Sequence, residues 1–124
     1  MKLEVGMYVK TKNGYICKII NINDYREPNM KYGIEANYLK DVMFIGDDDV
    51  VKASYNIIDI LEVGDYVNGN KVIEIEKNYK FIDGTIRDIL WTDTKMQKAI
   101  WDETIKSIVT KEMFSSVEYR METD

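Results

Sequence analysis

The 124-residue sequence contains no histidine, a single cysteine and a single proline. Histidine is the commonest general base, proton shuttle and metal ligand, so its absence removes the usual centre of acid–base and metal chemistry. The lone Cys17 lies in an apolar run, which favours core filling over a nucleophilic role and excludes an internal disulfide. Phosphate-binding glycine loops, a dinucleotide-binding fingerprint and zinc-ligand spacings are also missing. These absences predict a protein that is not an enzyme and that holds neither a cofactor nor a metal.

Long apolar runs are missing as well. No stretch approaches the roughly 20 apolar residues that a membrane-spanning helix needs. The first residues reach a glycine and two charges before any apolar run, which is not the pattern of a secretory signal peptide. A single cysteine also fits a reducing compartment. The sequence therefore predicts a soluble, globular, cytoplasmic protein.

The sequence has no basic excess of the kind that proteins binding duplex nucleic acid carry. Its formal charge is −5, from 17 basic and 22 acidic side chains. Residues 1–61 contribute 8 basic and 9 acidic side chains, whereas residues 62–124 contribute 9 and 13. The balance predicts against direct nucleic-acid binding. An acidic surface of this kind serves solubility or meets a basic partner.

The densest charge run is Asp47, Asp48 and Asp49, between Gly46 and Val50. The alternating ligands and final glutamate of a calcium loop are missing from it. Three adjacent carboxylates repel one another, which favours a solvated turn between two strands. The functional alternatives are a negative surface that meets Lys or Arg on a partner and, less favoured, a divalent-cation site.

An internal repeat is the most informative pattern in the chain. Residues 4–9 (Glu-Val-Gly-Met-Tyr-Val) reappear at residues 62–67 (Glu-Val-Gly-Asp-Tyr-Val), identical at five of six positions. An Asn-Gly pair follows each copy, at 13–14 and at 68–69, and then a β-rich run. Asn-Gly between strand-like segments indicates a hairpin with a type I′ turn. The pattern predicts a duplication, with chance similarity of a short hexapeptide as the alternative.

The ends of the two halves also correspond. Residues 50–53 and 57–61 are predicted strands around a break at 54–56, and residues 105–109 and 117–121 are predicted strands around one helical turn N-capped by Thr110. This order resembles a small SH3-like or KOW-like barrel. The prediction is thus a mainly β protein of two tightly fused units, 1–61 and 62–124. Residues 93–102 fit two helical turns or a strand pair around Trp91 and Trp101, and the sequence leaves that open.

Nine tyrosines make up most of the aromatic content. Tyr8, Tyr66 and Tyr119 fall at predicted strand positions, whereas others fall in or beside predicted loops: Tyr25, Tyr32, Tyr38, Tyr55 and Tyr79. Tyrosine in a loop either packs locally or binds a partner. Tyr25, Tyr32 and Tyr38 are therefore predicted, together with the three aspartates, to contact a partner, with structural packing as the alternative.

Three segments, residues 2–12, 56–69 and 105–114, resemble small proteins encoded by phages and prophages of low-GC Gram-positive bacteria. The resemblance covers about half of the chain and brings no residue roles with it. It implies an anti-defence protein, most readily an anti-CRISPR, that binds a host defence nuclease or its complex stoichiometrically.

Two other functions are weighed against this one. A sponge that sequesters a nucleotide signal in a homo-oligomer would use Arg26, Arg87 and Arg120 against phosphates. An SH3-like or KOW-like module on RNA or a ribonucleoprotein is the third, and the negative charge disfavours it.

Overall fold

The structure is a computed structural model, and it describes residues 2–23, 27–35, 43–94 and 99–113. The chain divides into two compact units, Met1–Ile60 and Leu61–Asp124. Both are built on antiparallel sheets, so the mainly β prediction is confirmed. Among the described residues, no helix has the length and apolar character needed to cross a membrane.

The first unit is a five-stranded sheet in the order β4-β3-β2-β1-β5. Its strands are β1 (Tyr8–Thr11), β2 (Ile16–Ile22), β3 (Tyr32–Glu35), β4 (Met43–Ile45) and β5 (Val50–Ser54). Short 3₁₀ turns occupy Pro28–Met30, Asp47–Asp49 and Ile57–Ile60. Val9, Cys17 and Ile19 point from β1 and β2 into a buried core that also contains Leu3, Tyr32, Ile34 and Ile45.

The second unit is a four-stranded sheet in the order β8-β7-β6-β9. Its strands are β6 (Tyr66–Val67), β7 (Asn70–Lys80), β8 (Ile86–Thr92) and β9 (Ile108–Val109). Ile100 adds an isolated antiparallel bridge to Leu90 at the outer side of β8. A 3₁₀ turn at Asp102–Thr104 precedes β9, and residues 111–113 are helical. Val67, Val72, Ile89, Leu90 and Ile100 are buried in this unit.

The two copies of the repeat form the same turn. Gly6 and Gly64 both have positive φ, 95° and 101°, which a glycine adopts without steric cost. The amide of Gly6 donates to the carbonyl of Ile19, and that of Gly64 donates to Val72, both at 2.9 Å. In each unit a 3₁₀ turn precedes the last strand, which returns to pair with the first strand. Local geometry and strand order therefore agree with a duplication.

The predicted type I′ turn is present in one copy only. Asn68 and Gly69 have φ of 53° and 82° and join β6 directly to β7. In the first copy, Gly14 has positive φ and Asn13 does not. The hairpin loop is longer there, because the hydrogen bond that closes it joins the amide of Thr11 to the carbonyl of Tyr15.

Two sequence predictions need correction. Residues 57–61 do not form a strand, because the Asn56 side chain accepts the amide of Ile58 at 3.1 Å and starts the 3₁₀ turn Ile57–Ile60. The described strands also do not close a barrel: β4 and β5 are joined by the Asp47–Asp49 turn and pair only with β3 and β1. Thr110 does cap the helical residues, since its hydroxyl accepts the amide of Met113 at 3.5 Å. The predicted strand at 117–121 lies outside the described residues.

Candidate binding surface

The three aspartates form the turn that carries the chain from β4 into β5. The Asp49 carboxylate accepts the amide of Gly46 at 3.0 Å, and the Asp47 carboxylate accepts the hydroxyl of Tyr32 at 2.5 Å. Asp47 and Asp48 are exposed, and Asp49 is half-buried. The run is thus a turn between strands, as predicted, in which two of the three carboxylates hold local structure.

Tyr32 lies in β3, whereas the sequence placed it in or beside a loop. Its side chain is only 3% exposed and belongs to the core of the first unit. The Lys31 ammonium lies 5.5 Å from the ring centre. A ring buried this deeply has little surface to offer a partner.

The structure brings together only some of the residues that were predicted to contact a partner. Tyr32 and Asp47 are hydrogen-bonded, while Tyr25, Tyr38, Arg26 and Arg120 lie outside the described residues. Their predicted contacts with a partner or a nucleotide stay predictions.

A long hairpin of β7 and β8 builds the most distinctive surface of the second unit. At its tip, residues 81–85, the amide of Phe81 donates to the carbonyl of Thr85 at 2.8 Å, and the amide of Gly84, which has φ 90°, donates to the carbonyl of Phe81 at 2.9 Å. Asp83 accepts the hydroxyl of Thr85 at 2.7 Å and its amide at 3.0 Å, and these bonds lower the pKa of Asp83. Ile82 is fully exposed at this tip. The internal bonds give the hairpin a defined end.

A β-bulge follows Glu76 in β7 and changes which side chains meet across the hairpin. Asn78 adopts a positive φ of 58°, and its amide donates to Asp88 at 2.9 Å. The same carboxylate binds the Lys77 ammonium at 2.9 Å. Beyond the bulge, Tyr79 lies directly opposite Arg87.

Three aromatic side chains of this hairpin meet a fourth from the segment after Ile100 and form what we call the aromatic ridge: Trp91, Tyr79, Phe81 and Trp101. The ring centres are 6.0 Å apart for Trp91 and Tyr79, 5.1 Å for Tyr79 and Phe81, and 5.6 Å for Phe81 and Trp101. Neighbouring planes are nearly perpendicular, which is a favourable edge-to-face arrangement. All four side chains are half-buried, so each ring retains some solvent-facing surface.

Charged groups border the ridge at both ends. The Arg87 guanidinium lies 5.6 Å from the ring centre of Trp101 and 3.5 Å from the Glu103 carboxylate. At the other end, the indole N–H of Trp91 donates to the Glu76 carboxylate at 3.4 Å. The Arg87 guanidinium therefore contacts an aromatic ring and a carboxylate of its own unit.

A groove beside the ridge has Phe81 and Trp101 at one side and is also lined by Asn68, Thr92, Ile100 and Lys106. The Asn68 amide is committed to the backbone: it donates to the carbonyl of Thr104 at 2.9 Å and accepts the amide of Lys106 at 2.7 Å. This amide fastens the loop before β9 and is not presented to a ligand.

Cys17 and the acidic side chains are the remaining candidates for a reactive thiol and for a metal site. Cys17 is buried, and burial raises the pKa of its thiol to about 11. No group of three or more Cys, Asp or Glu side chains there is arranged to hold a metal ion.

Sequence reasoning did not identify the ridge. One signal was available, because Tyr79 and Phe81 are two residues apart and so share a face of a strand. For the tryptophans the sequence offered only the open alternative of a strand pair around Trp91 and Trp101, because their approach depends on strand register and on the bridge of Ile100 to Leu90. No protein-family model, curated protein or solved structure matches this chain. The resemblance to phage proteins therefore stays a prediction.

Proposed function

We propose that this protein is a non-catalytic inhibitor that binds a host defence protein stoichiometrically, in the manner of an anti-CRISPR, with the aromatic ridge as its principal contact. The observation that carries the proposal is the ridge itself: four half-buried aromatic rings in mutual contact, three from the β7–β8 hairpin and Trp101 from the segment that returns beside β8. Trp, Tyr and Arg dominate the binding energy of protein interfaces, and here all three types lie together.

The charge of the second half supports a basic partner. Residues 62–124 carry 13 acidic and 9 basic side chains, and Glu76 and Glu103 border the ridge. Acidic groups around aromatic anchors raise the association rate with a basic surface, such as the nucleic-acid channel of a nuclease. The anti-defence role itself rests on the sequence resemblance.

A nucleotide sponge is the second candidate, and one observation favours it. Arg87 and Trp101 place a guanidinium beside a stacking surface, the combination that a nucleotide needs. The neighbouring Glu103 opposes it, because a carboxylate 3.5 Å from the guanidinium already offsets the charge that a phosphate would require.

The proposal is tested by phage plating on a host that carries a defined CRISPR nuclease. Wild type is expected to restore plaque formation, and Trp101→Ala to lose most of that effect, because truncating an aromatic anchor of an interface costs about 2 kcal/mol, or roughly 30-fold in Kd. Tyr55→Ala is the matched control, since Tyr55 is 58% exposed and lies in the first unit.

Purified protein and nuclease are then mixed and analysed by size-exclusion chromatography with light scattering, which reports a fixed stoichiometry if inhibition is by binding. Circular dichroism verifies that both variants are folded. Equal protection by wild type and folded Trp101→Ala would remove the ridge from the mechanism. Absence of protection and of a complex across nuclease types would refute the proposed function.

A further inference from the structure

We propose that the aromatic ridge recognises guanidinium and ammonium groups, so that the partner segment lying over it is an extended stretch with Arg or Lys at alternate positions. This inference rests on the proposed function and specifies its partner. It begins with Arg87, whose guanidinium lies 5.6 Å from the centre of the Trp101 ring. That distance is within the roughly 6 Å over which a ring attracts a cation, so the Trp101 ring already lies beside a cation of its own chain.

The other rings offer the same kind of surface. Tyr79, Phe81 and Trp91 are each half-buried, and among the residues that the structure describes no Lys or Arg stacks on them. Tryptophan is the strongest cation–π acceptor among the side chains, followed by tyrosine and phenylalanine. Trp91 is therefore the second cation position that the ridge provides.

The acidic side chains beside the ridge determine which charge a ligand must carry. The Glu76 carboxylate contacts the indole of Trp91, and Glu103 is 71% exposed beside Arg87. Glu74 lies directly opposite Trp91 in the hairpin register. Glu103 is already paired with Arg87, so the attraction for a further cation comes from Glu76 and Glu74 beside Trp91. These two carboxylates also repel a phosphate, so the Trp91 end of the ridge favours basic side chains over a nucleotide.

The spacing of the rings determines the form of the segment. Neighbouring ring centres are 5.1–6.0 Å apart. Residues i and i+2 of an extended strand lie about 6.6 Å apart on the same side, so alternate side chains can meet successive rings. An Arg-x-Arg pattern in extended conformation fits this spacing.

Intrinsic fluorescence tests the inference directly, because Trp91 and Trp101 are the two tryptophans of the chain and both lie in the ridge. The full-length protein is titrated with a blocked peptide of alternating Gly and Arg, and with the same peptide containing citrulline, the neutral isostere of arginine. Saturable change with the arginine peptide and at least about tenfold weaker change with the citrulline peptide is expected, since only the charged group gains cation–π energy. ATP and a cyclic dinucleotide are expected to cause none.

Two variants that each remove one negative charge test whether the arginine peptide binds at the ridge. Glu76→Gln keeps an oxygen acceptor for the Trp91 indole and removes one charge at the ridge. Asp59→Asn keeps an acceptor for Ser54, which donates at 2.7 Å, and removes one charge in the first unit. Glu76→Gln is expected to weaken arginine-peptide binding about three- to fivefold, and Asp59→Asn less than about twofold.

Equal binding of the arginine and citrulline peptides, tighter binding of a nucleotide, or equal weakening by the two variants would each overturn the inference. The proposed function fails separately, through loss of protection and of the nuclease complex in the plating and light-scattering experiments. A ridge that contacts the nuclease through uncharged groups would leave those experiments positive and the peptide titration negative.

Discussion

Replacing Asp65 with Asn changes the one acidic residue that is buried among the residues that the structure describes. The Asp65 side chain is 0% exposed, and its two oxygens accept backbone amides from opposite ends of the second unit. Oδ2 accepts the amide of Glu62 at 2.7 Å, and Oδ1 accepts the amide of Lys111, 46 residues away, at 2.9 Å. One carboxylate therefore closes the repeated turn and holds the helical residues after β9.

The stability lost in Asp65→Asn follows from the number of hydrogen-bond acceptors that the substitution removes. Hydrogen bonds to a charged group contribute about 1.5–3 kcal/mol each, and a buried donor left without an acceptor costs about 1–3 kcal/mol. Asparagine keeps one oxygen, but its amide nitrogen is a donor and faces one of the two backbone N–H groups. We expect Asp65→Asn to lower the free energy of unfolding by about 2–4 kcal/mol.

Urea unfolding followed by far-ultraviolet circular dichroism measures this loss. Asp93→Asn is the control, because exposed Asp93 accepts a backbone amide, that of Lys71 at 3.1 Å, and loses the same charge. Its expected cost is below about 1 kcal/mol, since water replaces what is lost at an exposed site. If Asp65→Asn unfolds within about 0.5 kcal/mol of wild type, the two bonds do not carry the assigned energy.

Two further predictions concern the first unit. Burial raises the pKa of Cys17 from 9.0 to about 11, so the unfolded chain ionises first and we expect stability to fall between pH 9 and pH 11. Cys17→Ala should show a smaller fall in urea unfolding over this range, and an identical fall would exclude the thiol as its source. In the aspartate turn, Asp49→Ala should cost about 1 kcal/mol because the amide of Gly46 loses its acceptor, whereas Asp48→Ala should stay within about 0.5 kcal/mol. Thermal melts of the two variants compare them, and equal stability would argue against the cap.

The repeat was predictable because its geometry is local. A glycine with positive φ and a short return to the next strand require only nearby residues, and both copies realise them. Thr110 is similar, since a cap depends on the residues that directly follow it. Such features can be predicted from sequence because no distant contact competes with them.

Other features were missed either because a local side-chain contact outweighs strand propensity or because a distant partner decides the structure. Residues 57–60 are apolar enough for a strand, but Asn56 offers a side-chain acceptor that starts a 3₁₀ turn instead. Tyr32 looked like a loop residue, and strand pairing between Tyr32 and Ile45 placed it in the core. The ridge needed the bulge after Glu76, the register of β8 and the position of Trp101, which no local pattern encodes.

The return of each last strand to its own first strand has a consequence for biosynthesis. Tyr8 pairs with Ser54 in one unit, and Tyr66 pairs with Val109 in the other. During synthesis, the described strands of the first unit leave the ribosome before β9 has been made. Each repeated turn therefore meets the strands of its own unit first. A denatured chain returned to native buffer presents both turns and all the described strands at once, and near-identical turns then compete for the same partners. Synthesis from the N-terminus thus lets the first repeated turn pair before the second has been made, although the two turns are nearly identical in sequence.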